Sequence, residues 1–224
     1  MKILQTLTST MLAAVVIAGC GSGDSANASS DADAAKRQAI LMNKDAPEMK
    51  QEAPATYKAR FETNKGAFVI SVERKLSPHG ADRFYNLVRN GYYDGNKFFR
   101  VLPNFIVQWG MNGDPAINKI WSESRIMDDP VQMSNKKGTI TFAKPGAPNA
   151  RSTHLFINFK DNANLDGQGF AAFGHVSEGM EIVEAINAEY GQSPDQGKIA
   201  ELGNAYLNER FPNLDTILSA TIVD

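Results

Sequence analysis

Apolar and charged positions alternate with period two from Tyr57. Tyr57, Ala59 and Phe61 are separated by Lys58, Arg60 and Glu62, and after Asn64-Lys65-Gly66 the alternation resumes at Phe68, Ile70 and Val72. Two such runs around a glycine-containing turn predict a β-hairpin. The period then changes. Ala81, Phe84, Leu87 and Val88 share one helical face; Ser77 is placed as N-cap, Pro78 as first helical residue and Gly91 as stop. Short strand-like runs follow at 97–101, 105–109, 138–143, 154–159, 172–176 and 216–223. A second amphipathic helix fits 179–190, with Met180, Val183 and Ile186 inward and Gly191 ending it. Many short strands with two separated helices predict a mainly β fold, a closed barrel whose open ends the helices cover.

The chain ahead of the hairpin has neither period. Lys2 precedes a mostly apolar run to Ala18, centred on Leu12-Ala13-Ala14-Val15-Val16-Ile17-Ala18. The run is short and interrupted by Thr and Ser, so it reads as a secretory signal peptide rather than a spanning helix. Ile17-Ala18-Gly19-Cys20 resembles the bacterial lipobox, where small residues let the peptidase approach the backbone. The resemblance implies that Cys20 is lipidated, becomes the mature N-terminus and anchors the protein to membrane. Gly21 stands where an Asp would retain an enterobacterial lipoprotein at the inner membrane, so the periplasmic face of the outer membrane is expected. From Gly21 to Ser30 there is no aromatic or large aliphatic residue, and Pro47 and Pro54 break the chain further on. Such a segment cannot bury enough surface to order itself, except for a transient helix near 32–43. The expected organisation is therefore 1–19 signal peptide, 20–55 lipidated Cys and flexible linker, and 56–224 folded domain.

Composition narrows the chemistry. The 224 residues are 42% hydrophobic and 21% charged, which suits one domain with a tail and excludes a wholly disordered chain. A net charge of −2 gives no electrostatic case for nucleic-acid binding. One cysteine excludes an intramolecular disulfide and a Cys-rich zinc site, and the three histidines lack metal-ligand spacing. No Gly-x-Ser-x-Gly elbow, phosphate loop or dinucleotide fingerprint is present.

The segment from Phe98 through Arg100, Pro103, Phe105 and Gln108 to Gly110 resembles the signature of the cyclophilins, the peptidyl-prolyl isomerases. The likeness continues in order through Gly138–Ala143, Leu155–Asn158, Asn164–Gly167, Phe173–Val176 and Glu178–Met180, and it covers about Tyr57 to Asp224. It implies an eight-stranded antiparallel barrel capped by two helices, acting on proline-containing polypeptides without cofactor or metal, as a monomer. It also implies roles. Arg100 is the catalytic residue; Phe105, Ile106, Phe156 and Leu165 form the proline pocket; Gln108 bonds the substrate backbone and orients Arg100. Ala143 and Lys144 offer backbone for strand-like pairing with substrate. His154 stands where the family usually has Gln, which implies pH dependence near a histidine pKa. Phe170 lies near the pocket's usual His or Tyr. Asn164 replaces the Trp that contacts cyclosporin in eukaryotic members, so weak drug affinity is expected.

The activity expected is isomerisation of X-Pro bonds in exported proteins during folding. The alternative is a proline-peptide-binding chaperone module of the envelope that keeps the groove with weak catalysis. Trp121, in the 111–137 loop, is expected to pack that loop on the barrel, and a short helix is expected in the 191–214 insertion.

Overall fold

A computed structural model describes residues 24–223. The expected signal peptide and Cys20 lie outside the described residues. The chain divides into two units, 1–35 and 36–224. Helix α1 runs Asp24–Leu41.

The second unit is built on one sheet. Its strands are β1 (Thr56–Thr63), β2 (Gly66–Glu73), β3 (Arg100–Leu102), β4 (Ile106–Trp109), β5 (Thr139–Phe142), β6 (Leu155–Asn158), β7 (Ala172–Glu178) and β8 (Ile217–Val223). All pair antiparallel, in the order β3-β4-β6-β5-β7-β2-β1-β8. The predicted hairpin is β1–β2, with Thr63 opposite Gly66 across Asn64-Lys65. Its alternation faces Tyr57, Ala59, Phe61 and Thr63 inward, as period-two patterning requires.

The sheet curls into a half-barrel. No ladder pairs its edge strands β3 and β8; the segments just ahead of them are joined by a single bridge between Lys97 and Thr216. Around it Phe98 N–H donates to Asp215 O (3.1 Å) and Ile217 N–H to Asn96 O (2.9 Å). The core fills the concave side with Phe61, Phe68, Phe84, Trp109, Phe142 and Phe173, and Phe61 and Phe68 stack 5.1 Å apart.

Helix α2 (Pro78–Arg89) appears where the 3.6-residue pattern placed it, but Ser77 does not cap it through its own side chain. The Asp129 carboxylate takes that place, accepting the N–H groups of His79 (3.2 Å) and Gly80 (3.0 Å). The Ser77 hydroxyl donates to the same carboxylate at 2.5 Å. A carboxylate at a helix N-terminus gains from both orphan donors and the helix dipole, which a hydroxyl matches less well.

Three further expectations are corrected. The linker expected to reach residue 55 stops earlier, because Leu41, Ala46, Met49 and Ala53 are buried in the main core. The helix α3 (Pro115–Ser122) carries Trp121, whose indole N–H donates to Leu41 O at 2.8 Å. Apolar residues too sparse to show a period still find a surface to cover. The helix at 179–190 shortens to α4 (Met180–Glu184), because the Asp215 carboxylate takes the Asn187 N–H at 2.6 Å. The insertion forms a longer helix than expected, α5 (Gln196–Arg210), kinked at Gly203. That glycine has φ 59°, and a Cβ there would sit 2.1 Å from Gly113 O; only glycine allows both. Leu207 of α5, with Leu214, packs on Phe99 and Met111 in a second core.

Candidate active site

Cross-strand register lines up the site. Arg100 on β3 faces Gln108 on β4, and Gln108 faces Phe156 on β6. Directly opposed residues on one face are contact neighbours, so three strands present a cation, an amide and an aromatic ring in one row. The Arg100 Nη1 donates to Gln108 Oε1 at 3.1 Å, and its guanidinium lies 6.0 Å from the Phe105 ring centre. Partial burial lowers the Arg100 pKa from its usual value, but guanidinium remains charged at neutral pH.

Beside this row is an apolar cup. Ile106, Phe156 and Leu165 are its buried floor, with Phe105, Ala143 and Phe170 packed against them. Phe156 and Phe170 meet edge to face at 5.7 Å. Leu165 and Phe170 belong to no strand, so other bonds hold them. The Asp166 carboxylate accepts from Ser134 Oγ (2.5 Å) and from Asn135 N–H (2.9 Å). Asn135 in turn donates to Phe170 O at 2.8 Å. Desolvation opposes the charge on Asp166, but these bonds outweigh it and keep its carboxyl below the usual range.

A cavity of about 630 Å3 joins the cup to the Arg100 row, a volume typical of ligand sites. Arg100, Phe105, Ile106, Gln108 and Ala143 line it, and so do Lys144, His154, Phe156, Leu165 and Phe170. The structure thus brings all ten residues to one place. Cys20, the expected lipidation point, lies outside the described residues. Asn164 is exposed and does not line the cavity.

Some expectations change in detail. The Ala143 N–H is already donated to His154 O at 2.9 Å, so that residue can offer a bound chain its carbonyl. The Lys144 side chain turns back to Asp128 at 3.0 Å. Burial pushes the His154 pKa down from 6.5 to about 4, and the ring sits edge-on to Phe99 at 5.7 Å. The pH dependence expected near the ordinary histidine value therefore does not apply, because His154 is neutral throughout the neutral range.

Sequence reasoning missed several contributors. Ser122 ends α3 and Arg125 follows it, while Ala150 and Ser152 come from the segment before β6; all four line the cavity. Gln196 arrives at the start of α5, and Gln192 just before it accepts from Arg100 Nε at 3.4 Å. None lies in a periodic run, so no pattern marked them. Among the described residues no group of three or more His, Cys, Asp or Glu side chains converges as a metal site.

A curled antiparallel sheet with flanking helices is the fold expected of the cyclophilin class. Residues 58–204 match the family model described as cyclophilin type peptidyl-prolyl cis-trans isomerase/CLD. The chain belongs to that family. It is 30% identical over 138 residues to a peptidyl-prolyl cis-trans isomerase of Acinetobacter baylyi, covering 60% of this chain and 73% of the relative. It is 26% identical over 171 residues to peptidyl-prolyl cis-trans isomerase B of Escherichia coli, covering 73% and 97%. Among solved structures, a Hirschia baltica cyclophilin superposes with TM-score 0.58 at 16% identity, over 76% of this chain and 75% of that one. A Cryptosporidium parvum cyclophilin type isomerase, crystallised in the presence of the dipeptide Ala-Pro, gives TM-score 0.56 at 21% identity, over 75% and 99%. The structural likenesses bear on the fold.

Proposed function

We propose that this prolyl isomerase acts on proline-containing segments of exported polypeptides at the cell envelope. In this reading a lipidated Cys20 tethers it to the periplasmic face of the outer membrane, and it works as a monomer without cofactor or metal. The observation that carries the reading is the Arg100 guanidinium, held by Gln108 at the rim of the apolar cup.

An X-Pro amide resists rotation with a barrier of roughly 18–20 kcal/mol, because rotation breaks resonance. At the twisted midpoint the prolyl nitrogen regains a lone pair. A donor fixed toward that nitrogen stabilises the midpoint more than either planar form, which is what lowers a barrier. Arg100 is that donor. Its fork is always charged, and Gln108 fixes one of its arms before substrate arrives. The cup takes the proline ring and excludes water, which strengthens the contact. The Gln108 amide and the Ala143 carbonyl bond the flanking chain in the manner of an added strand. The seam at Lys97 and Thr216 supports closure of the sheet into a full barrel, which would hold the Arg100 strand rigid.

The test is X-Pro exchange in a proline tetrapeptide by NMR, with the full chain and Arg100→Ala side by side. Rapid exchange that falls roughly 100- to 1000-fold in the variant is expected, in line with loss of a single transition-state donor. Binding without exchange would move the reading to a chaperone module. Equal exchange in both proteins would overturn the role of Arg100. For the anchor, Cys20→Ser should leave the membrane fraction; if it fractionates as the parent does, anchoring through Cys20 is wrong.

A further inference from the structure

The cavity extends well beyond the proline cup. Besides the cup residues, Ser122, Arg125, Pro145, Ala150 and Ser152 line it. The charges along it have one sign. Arg100, Arg125 and Lys144 line the cavity, and no Asp or Glu does, although the chain as a whole carries a net charge of −2.

These cations are not equivalent. Lys144 is neutralised by Asp128 at 3.0 Å, with only 10% of its side chain exposed. Arg100 is held by the uncharged amides of Gln108 and Gln192 and belongs to the rotating bond. Arg125 is different. It is exposed and its guanidinium makes no ion pair or side-chain hydrogen bond among the described residues. Its backbone, by contrast, is fixed on both sides. The half-buried Arg83 donates to Ser124 O at 2.7 Å. Ile126 N–H donates to Arg151 O at 2.9 Å within an antiparallel bridge. Arg151 itself is buried and bonded to Asp129 at 2.8 Å. A pinned backbone thus presents a free guanidinium to the same cavity that holds the proline cup.

From this we infer that Arg125 is a specificity-determining residue that selects substrates carrying an acidic side chain within two or three residues of the proline. The inference rests on the isomerase reading of the same cavity. An extended chain advances roughly 3.3 Å per residue, so the near neighbours of a ring seated in the cup stay within the cavity that Arg125 also lines. A planar guanidinium there receives a carboxylate in bidentate fashion. A lysine in the substrate would meet Arg100 and Arg125 with no acid to offset them. Like charges across an interface exclude partners as effectively as opposite charges attract them.

The test uses the full chain at low salt and three sets of proline peptides. They differ only in Glu, Gln or Lys, placed in turn at one to three residues on either side of the proline. Affinity is read from chemical-shift titration and isomerisation from exchange in the same samples. The Glu peptide is expected to bind about three- to fivefold more tightly than the Gln peptide at one placement or more, with the Lys peptide weakest. The margin should shrink at high salt. Arg125→Ala should bring the Glu-to-Gln ratio close to one, and Arg125→Glu should invert the order in favour of Lys. Equal affinities for all three peptides at every placement would overturn the inference. So would a Glu preference that survives Arg125→Ala. Because the ratio is an affinity, it decides the role of Arg125 even if no peptide is isomerised, an outcome that would sink the isomerase reading alone.

Discussion

Arg100 is held through two different amides, one across the β3–β4 ladder and one from the insertion. That arrangement depends on a planar fork with several donors, which lysine lacks. Arg100→Lys should therefore lose about 10- to 100-fold in kcat while retaining the charge, and exchange kinetics would measure it. His154 provides a second prediction at this scale. Its half-buried ring stays neutral down to about pH 4, whereas a free imidazole titrates near 6.5. Below pH 6.5 the unfolded chain therefore binds a proton that the folded chain does not, so stability falls as pH drops toward 4 and is unaffected above that window. Activity should show no inflection near 6.5 from this group. A pH profile that steps there in the parent but not in His154→Gln would contradict it. Arg100, Phe105 and Gln108 were legible because one contiguous segment carries them. Arg125, which lines the cavity, and Gln192, which reaches Arg100, were not, since each comes from a loop whose sequence has no period.

At the level of elements, the segment between Leu41 and Ala53 is part of the fold although it reads as linker. Removing everything before residue 55 would strip Leu41, Ala46, Met49 and Ala53 from the core and take away the acceptor of the Trp121 indole. At about 1.5–3 kcal/mol per large apolar side chain, denaturant unfolding should show a loss of roughly 3–5 kcal/mol. Removal of only the residues before 36 should show little. The cap of α2 is a second case. Asp129 serves two helix N–H groups, the Ser77 hydroxyl and the buried Arg151 at once. Burial opposes its charge, but Ser77 and Arg151 prevail and hold its carboxyl below the usual range. Asp129→Ala leaves Arg151 buried without that partner, so a loss of about 3–5 kcal/mol is expected from thermal or denaturant melts. No local rule reveals such a cap, because Ser77 satisfies the N-cap pattern and Asp129 lies fifty residues away in sequence. Strands and α2 were legible because their periods are set by burial of one face. The length of α4 was not, since a distant carboxylate at Asp215 ends it.

Across the whole molecule the sheet is sewn together at its two ends of sequence. β1 pairs with β2 beside it in the chain and with β8 at the far terminus, Lys58 opposite Val223. Contacts this distant in sequence slow folding, and refolding from denaturant should fall in the millisecond-to-second range typical of such topologies. A chain ending at Thr216 should fail to show a cooperative transition. The order of synthesis gives this pairing a further meaning. At about 5–20 residues per second, the final strand follows the first by roughly 165 residues, and hence by on the order of ten seconds or more. For that interval the nascent β1 has one edge without its partner. Lys58, Arg60 and Glu62 on its outer face supply the charge that discourages a stranger from adding there. The newborn chain thus carries on its first strand the protection it needs until its last strand is made.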